Sequence, residues 1–220
     1  MKLAALYSGG KDSTFAIYIA KQMGHEIKFL VNVVPSNEAS WLFHTPNLSM
    51  VPKMARDMGI PLVRVKSDGT ENGDINSLKY AINGLKVEGV VIGTLWSDYQ
   101  WDRMNTVFDE LHLKTIAPLW RKNQDMIYDE IVSAGIDAII VGTFAYGFSE
   151  DWLGKHLNLS TKEELISLRK KYGLSIMGEG GEYESLVLDS PIYKKKLTIR
   201  EYEKKYTKDS GTLTVKEINF

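Results

Sequence analysis

The sequence predicts an α/β protein built on a parallel sheet. Three observations predict it. Short apolar runs alternate with stretches whose apolar residues recur at helical spacing. Glycines close those stretches where a helix C-cap belongs, as Gly24 and Gly59 do. A glycine-bearing turn, Ser8-Gly9-Gly10-Lys11-Asp12-Ser13, joins the first apolar run to the first helical stretch. Strands alternating with helices form parallel sheets with right-handed crossovers, and ligands of such sheets sit at the carboxyl ends of the strands.

The elements follow in order. Lys2 to Tyr7 reads as a buried strand, and Ala16, Ile19, Ala20 and Met23 as the stripe of the first helix. Ile27 to Val34 is the second strand, followed by a loop holding Trp41, Phe43, His44 and Asn47. Ser49 is a candidate cap for a helix with Val51, Met54, Ala55 and Met58 on one face. Pro61 to Val65 is a third strand. Ser67 to Asp74 reads as a mobile polar loop ending in an N-cap, before a stripe of Ile75, Leu78, Ile82 and Leu85. Gly89 to Leu95 is a continuous buried strand, and Trp101, Met104, Phe108 and Leu111 stripe the helix after it. Lys114 to Leu119 is a fifth strand, and a first domain closes at residue 120.

The remainder, 121–220, opens with a helix from Asn123 to Gly135 and a strand from Asp137 to Gly142. Ser160 to Glu163 has the form of a capping box. Strand segments at Leu186 to Leu188, Ile192 to Ile199 and Thr212 to Ile218 end the chain, and their charge marks edge strands or a solvated face.

Composition narrows the function. With 220 residues, 44% apolar and 25% charged, the chain is a folded protein of one large domain or two small ones. A net charge of −1 gives no footprint for nucleic acid. No apolar run is long enough to span a membrane, and the start has no cleavable signal pattern, so a cytoplasmic protein is expected. The chain has no cysteine. That excludes a persulfide relay, a thiolate zinc site and a cysteine glutaminase half within it. An amide-forming enzyme of this composition takes its nitrogen as ammonia or from another chain.

The Ser8–Ser13 turn is a phosphate cradle by construction. Glycines let backbone N–H groups approach a ligand, the helix N-terminus favours an anion, and Ser8, Ser13 and Lys11 add donors and a cation. It is neither a Walker A loop, since Asp12 follows the lysine, nor a dinucleotide fingerprint. A second constellation, Gly178-Glu179-Gly180-Gly181-Glu182-Tyr183-Glu184-Ser185, sets three carboxylates in a glycine-rich turn. It suits Mg²⁺, an amine or a general base, or it is a solvated acidic turn. His44 with Asn47, and Ser97, Asp98, Tyr99, Gln100 and Arg103, follow the second and fourth strands on the ligand edge. They are candidate substrate contacts, with structural hydrogen bonding and helix capping as the alternatives.

The string SGGKDS resembles the pyrophosphate loop of the N-type ATP pyrophosphatases. Taken in order with His44-Thr45-Pro46-Asn47, Ser97 to Gln100 with Arg103, Ala117-Pro118-Leu119-Trp120 and Gly178 to Ser185, the motifs resemble the diphthine–ammonia ligase family. Trp101 stands where family members often have arginine. The resemblance implies a HUP-type, Rossmann-like sheet with helices on both faces, followed by a smaller α/β domain. It implies amidation of diphthine on translation elongation factor 2 with ammonia, using ATP and Mg²⁺ and releasing AMP and pyrophosphate through an acyl adenylate. Members of this length look archaeal. Lys11, Asp12, Glu179 and Glu182 are then the expected catalytic groups. Ser8, Gly9, Gly10, Lys11, Asp12 and Ser13 hold the phosphates, Val33 lies at the adenine and Gly93 at the ribose, and Asp12 holds the metal or fixes the loop. His44, Asn47, Ser97, Tyr99, Gln100, Arg103, Glu182 and Glu184 face the substrate. Two rivals are another adenylating enzyme that modifies tRNA and a non-catalytic nucleotide-binding module.

Overall fold

A computed structural model describes residues 1–36, 43 and 46–219. The chain divides into two units, one of Met1–Ser8 with Asp12–Trp120, the other of Gly9–Lys11 with Arg121–Phe220.

The first unit is a five-stranded sheet flanked by helices. Its strands are β1 (Lys2–Leu6), β2 (Glu26–Pro35), β3 (Leu62–Ser67), β4 (Gly89–Val91) and β5 (Lys114–Ile116). Its helices are α1 (Lys11–Gln22), α2 (Val51–Met58), α3 (Glu71–Ile82) and α4 (Asp98–Glu110). The strand order is β3-β2-β1-β4-β5 and every pairing is parallel. The order reverses direction between β1 and β4. Such a switch opens a crevice at the strands' carboxyl ends, and the Ser8–Ser13 turn leaves β1 there. Ala4, Val31 and Val90 from the sheet pack with Leu78, Ile82, Met104 and Phe108 from α3 and α4. Removing such side chains from water is worth about 1.5–3 kcal/mol for each large one, enough to fix which helix faces turn inward.

Several sequence expectations are corrected here. Met23 is 60% exposed and lies beyond the end of α1, whereas Ala16 and Ala20 are buried as expected and are joined on the buried face by Phe15 and Ile17. Ser49 does not cap α2. It lies in a short 3₁₀ turn, Leu48–Met50, that runs into the helix without a side-chain cap. The segment 67–74 is tied rather than mobile. Thr70 is the N-cap of α3 and accepts from Gly73 N, while Asp68 accepts from Thr70 N and Oγ1. Asp74 is therefore inside the helix, buried, and accepts from the Ser67 hydroxyl. The fourth and fifth strands stop early, at Val91 and Ile116, because parallel pairing of β4 with β5 ends there.

The second unit holds α5 (Gln124–Ser133), β6 (Asp137–Thr143), α6 (Leu159–Tyr172), β7 (Tyr183–Asp189), β8 (Thr198–Tyr206) and β9 (Gly211–Asn219). Its sheet has the order β7-β6-β9-β8 and is antiparallel. Asn158 caps α6 by accepting from Thr161 N, so the expected capping box at Ser160 is displaced two residues upstream. The expected strand at Ile192 to Ile199 is displaced to Thr198–Tyr206, where it lies at a sheet edge with most side chains exposed. Its charge belongs to that solvated edge. Leu197 and Ile192 are buried ahead of the strand, and their apolar character drew the sequence boundary to them.

Candidate functional site

In the first unit the carboxyl edge of the sheet gathers the nucleotide candidates. Ser8 and Ser13 close on one another: the two hydroxyls are 3.1 Å apart and Ser8 N donates to Ser13 Oγ at 3.3 Å. Both hydroxyls thus brace the turn. Asp12 lies in the first turn of α1, where the helix dipole favours a carboxylate, and its Oδ1 is buried. Gly93 follows β4 and presses on that same turn. A Cβ there would stand 2.7 Å from Ser13 N and 2.8 Å from the Asp12 carbonyl carbon, both backbone atoms. Only glycine lets the two segments meet. Val33 is buried within β2 beside Val65 of β3.

The substrate candidates of α4 are organised by Glu71, from the segment expected to be a polar loop. Glu71, first residue of α3, accepts from Tyr99 Oη at 2.8 Å and from Arg103 Nε at 2.7 Å. The Arg103 guanidinium lies 3.5 Å over the Tyr99 ring. The bonds from Arg103 and Tyr99 hold the Glu71 carboxyl below its ordinary value, and burial together with Glu71 pushes the Tyr99 hydroxyl up. A cavity of about 380 Å³ beside them is lined by Gly69, Glu71, Asp74 and Tyr99. An acid in the first turn of a helix, with an arginine and a tyrosine on another, was the only sequence signal for it. Ser97 is the N-cap of α4 and accepts from Gln100 N, the capping alternative. Trp101 stacks flat on Trp120, 4.3 Å between centroids, so its place in α4 is packing. Asn47 takes a left-handed backbone and its carbonyl accepts from Met50 N. His44 lies outside the described residues.

In the second unit Lys11 is 3% exposed. Its Nζ donates to Met177 O at 2.6 Å and stands 4.9 Å from the centre of the Tyr183 ring, and its backbone N–H donates to Ser185 Oγ at 3.1 Å. Gly9 O accepts from Val187 N at 2.9 Å. Ser185 and Val187 alternate along β7, and that alternation was the missed signal for their role. A lysine ammonium has three donors, so one bond to a carbonyl is compatible with bonds to phosphate oxygens.

The acidic turn is built around one of its own carboxylates. Glu182 Oε1 accepts from Ser175 N and Oε2 from Gly180 N, each at 2.8 Å. Glu179 N donates to Ser175 Oγ at 3.2 Å. Glu179 and Glu184 are half-buried. Among the described residues no three acidic or imidazole groups converge as a metal cage. Replacing Glu182 by glutamine keeps one acceptor and turns the other into a donor facing an N–H. We expect that to cost about 1–3 kcal/mol, the penalty of an unmade bond at a partly buried group. A shift of the urea midpoint measures it. Wild-type stability in Glu182→Gln would remove the bracing role.

Comparison with known proteins gives two family-model matches and matches to single proteins. The family model described as the diphthamide synthase N-terminal domain matches residues 1–115, and that of the diphthamide synthase C-terminal domain matches residues 123–219. The chain is 36% identical over 223 residues to a diphthine–ammonia ligase of Danio rerio, covering 90% of this chain and 86% of that protein. It is 35% identical over 226 residues to the diphthine–ammonia ligase of Bos taurus, covering 92% and 84%. Among solved structures, a predicted subunit of tRNA methyltransferase from Methanocaldococcus jannaschii aligns at a TM-score of 0.48 and 15% identity, over 89% of this chain and 99% of that one.

Proposed function

The chain belongs to the diphthamide synthase family, and from that membership we propose that it amidates diphthine on translation elongation factor 2, in the cytoplasm, with ammonia and ATP. The observation that carries the reading is the pair of family matches in register along both units, with the Ser8–Ser13 turn at the switch point of the first sheet.

The chemistry runs in two displacements. A carboxylate oxygen of diphthine attacks the α-phosphorus of ATP, the bond from that phosphorus to the bridging oxygen breaks, and pyrophosphate leaves. Ammonia then attacks the acyl carbon, AMP leaves with the carboxyl oxygen, and the amide nitrogen gives up a proton. The backbone N–H groups of Gly9 and Gly10, with Ser8, Lys11 and Ser13, hold the β- and γ-phosphates, and Lys11 and the α1 terminus offset charge as it builds there. Asp12 suits Mg²⁺: its buried Oδ1 is a hard oxygen donor, and this ion characteristically takes one or two protein carboxylates beside substrate phosphates. When bound it supplies charge neutralisation on the phosphates. Gly93 sets the position of the Asp12–Ser13 backbone. Val33 lies at the adenine in this reading, and Glu179 and Glu184 supply negative charge for the amine-bearing substrates.

The products test the reaction class. ATP is expected to give AMP and pyrophosphate in an assay that needs diphthine-bearing elongation factor and ammonium together. Phosphorus NMR distinguishes this from ADP and phosphate, and ADP as the main product overturns the ligase reading.

A further inference from the structure

The loop after β6 presents aromatic surface that the reaction above does not use. Phe144 is 38% exposed and Tyr146 is 71% exposed. Phe144 is held at its backbone, where its N–H donates to Glu182 O at 2.9 Å. Its ring is admitted by a glycine. A Cβ on Gly142 would stand 2.8 Å from Phe144 Cε2 and Cζ, so a larger residue would push the ring away. That same point is 3.4 Å from Cβ of Glu184, the residue paired with Gly142 across the sheet. An aromatic ring and an acidic side chain therefore occupy one face of the β6–β7 pair. Tyr146 stands edge-on to Tyr172, 5.2 Å between centroids.

We propose that the face of Phe144 and the Glu184 carboxylate together receive the quaternary ammonium group of the diphthine side chain. The assignment rests on the reading of the chain as a diphthine–ammonia ligase, and it names which carboxylate meets the cation. A trimethylammonium group has no N–H, so hydrogen-bond acceptors alone cannot single it out. What recognises it is an aromatic face, whose quadrupole attracts the cation, with a negative charge beside it. Three glutamates lie along the stretch from Gly178 to Ser185, at positions 179, 182 and 184. Glu184 is the one whose Cβ shares a face with the Phe144 ring. Gly142 is the specificity device, since it alone leaves the ring its place.

The test uses the full chain, with choline as a quaternary ammonium probe and its uncharged isostere 3,3-dimethylbutan-1-ol as control. Saturation-transfer NMR is expected to show choline binding to the wild type about fivefold or more tightly than the isostere, and the difference to vanish in Phe144→Leu. Phe144→Trp retains it, and Glu184→Gln weakens it with the fold intact by circular dichroism. In the amidation assay, Phe144→Leu raises KM for the protein substrate about fivefold or more, while kcat and KM for ATP stay within about twofold. Equal binding of choline and the isostere, or an unchanged KM for the protein substrate in Phe144→Leu, overturns the assignment. The two readings separate cleanly. Diphthamide formed with no Phe144 effect sinks this site and leaves the reaction standing. Choline binding that depends on Phe144 in a protein that forms no diphthamide supports the site and sinks the reaction.

Discussion

Replacing Lys11 by alanine leaves a folded protein whose rate of pyrophosphate release falls by about a hundredfold or more, the scale expected when a preorganised charge is removed from phosphate chemistry. The side chain is buried and donates to Met177 O, so alanine also opens space and strands an acceptor. Lys11→Met separates the two effects. It keeps most of the volume and removes only the charge and donors, so its loss of activity matches alanine's while its stability lies closer to wild type. Pyrophosphate release with saturating ATP gives the rate, and urea unfolding gives the stability. Near-normal turnover by a folded Lys11→Met protein would remove the phosphate assignment of the Ser8–Ser13 turn.

The second large effect comes from one methyl group. Gly93→Ala places a Cβ 2.7 Å from Ser13 N and 2.8 Å from the Asp12 carbonyl carbon. Neither atom can swing aside as a side chain would, so α1 or the segment after β4 must shift. Overpacking of this kind costs about 1–3 kcal/mol of stability. A functional loss accompanies it, because the atoms displaced belong to the turn proposed to hold the nucleotide. ATP affinity is expected to fall about tenfold or more, the scale of a misplaced positioning group. Calorimetric titration with ATP checks it. Wild-type affinity in Gly93→Ala would show that the nucleotide does not depend on this contact.

Geometry gives the acidic turn a structural part as well. As sequence, three glutamates among glycines suggest charges offered to a ligand. As structure, Glu182 uses both oxygens to fold the turn. A loss of amidation in Glu182→Gln therefore accompanies a loss of stability, and charge recognition passes to Glu184 in the reading proposed above.

Periodicity by itself determined the layout of the first unit. Val51, Met54, Ala55 and Met58 are all buried on α2 as their spacing predicts, and Gly59 ends that helix in a left-handed conformation. The alternation of apolar runs with such stripes specified a parallel sheet, and the Ser8–Ser13 residues specified a glycine-bearing turn between the first strand and the first helix, because both signals are local in the chain. The family, too, was legible from motifs in order. The tertiary structure alone decided what each motif residue touches. Glu71 joins Tyr99 and Arg103 across about thirty residues of sequence, Ser185 bonds Lys11 N across 174, and Gly93 meets Ser13. None of these pairings has a period or a short spacing to announce it. The Glu71 and Gly93 contacts arise where strand order brings loops of the first sheet to one edge, and there hydrogen-bond geometry and the space a glycine leaves determine which neighbour is chosen.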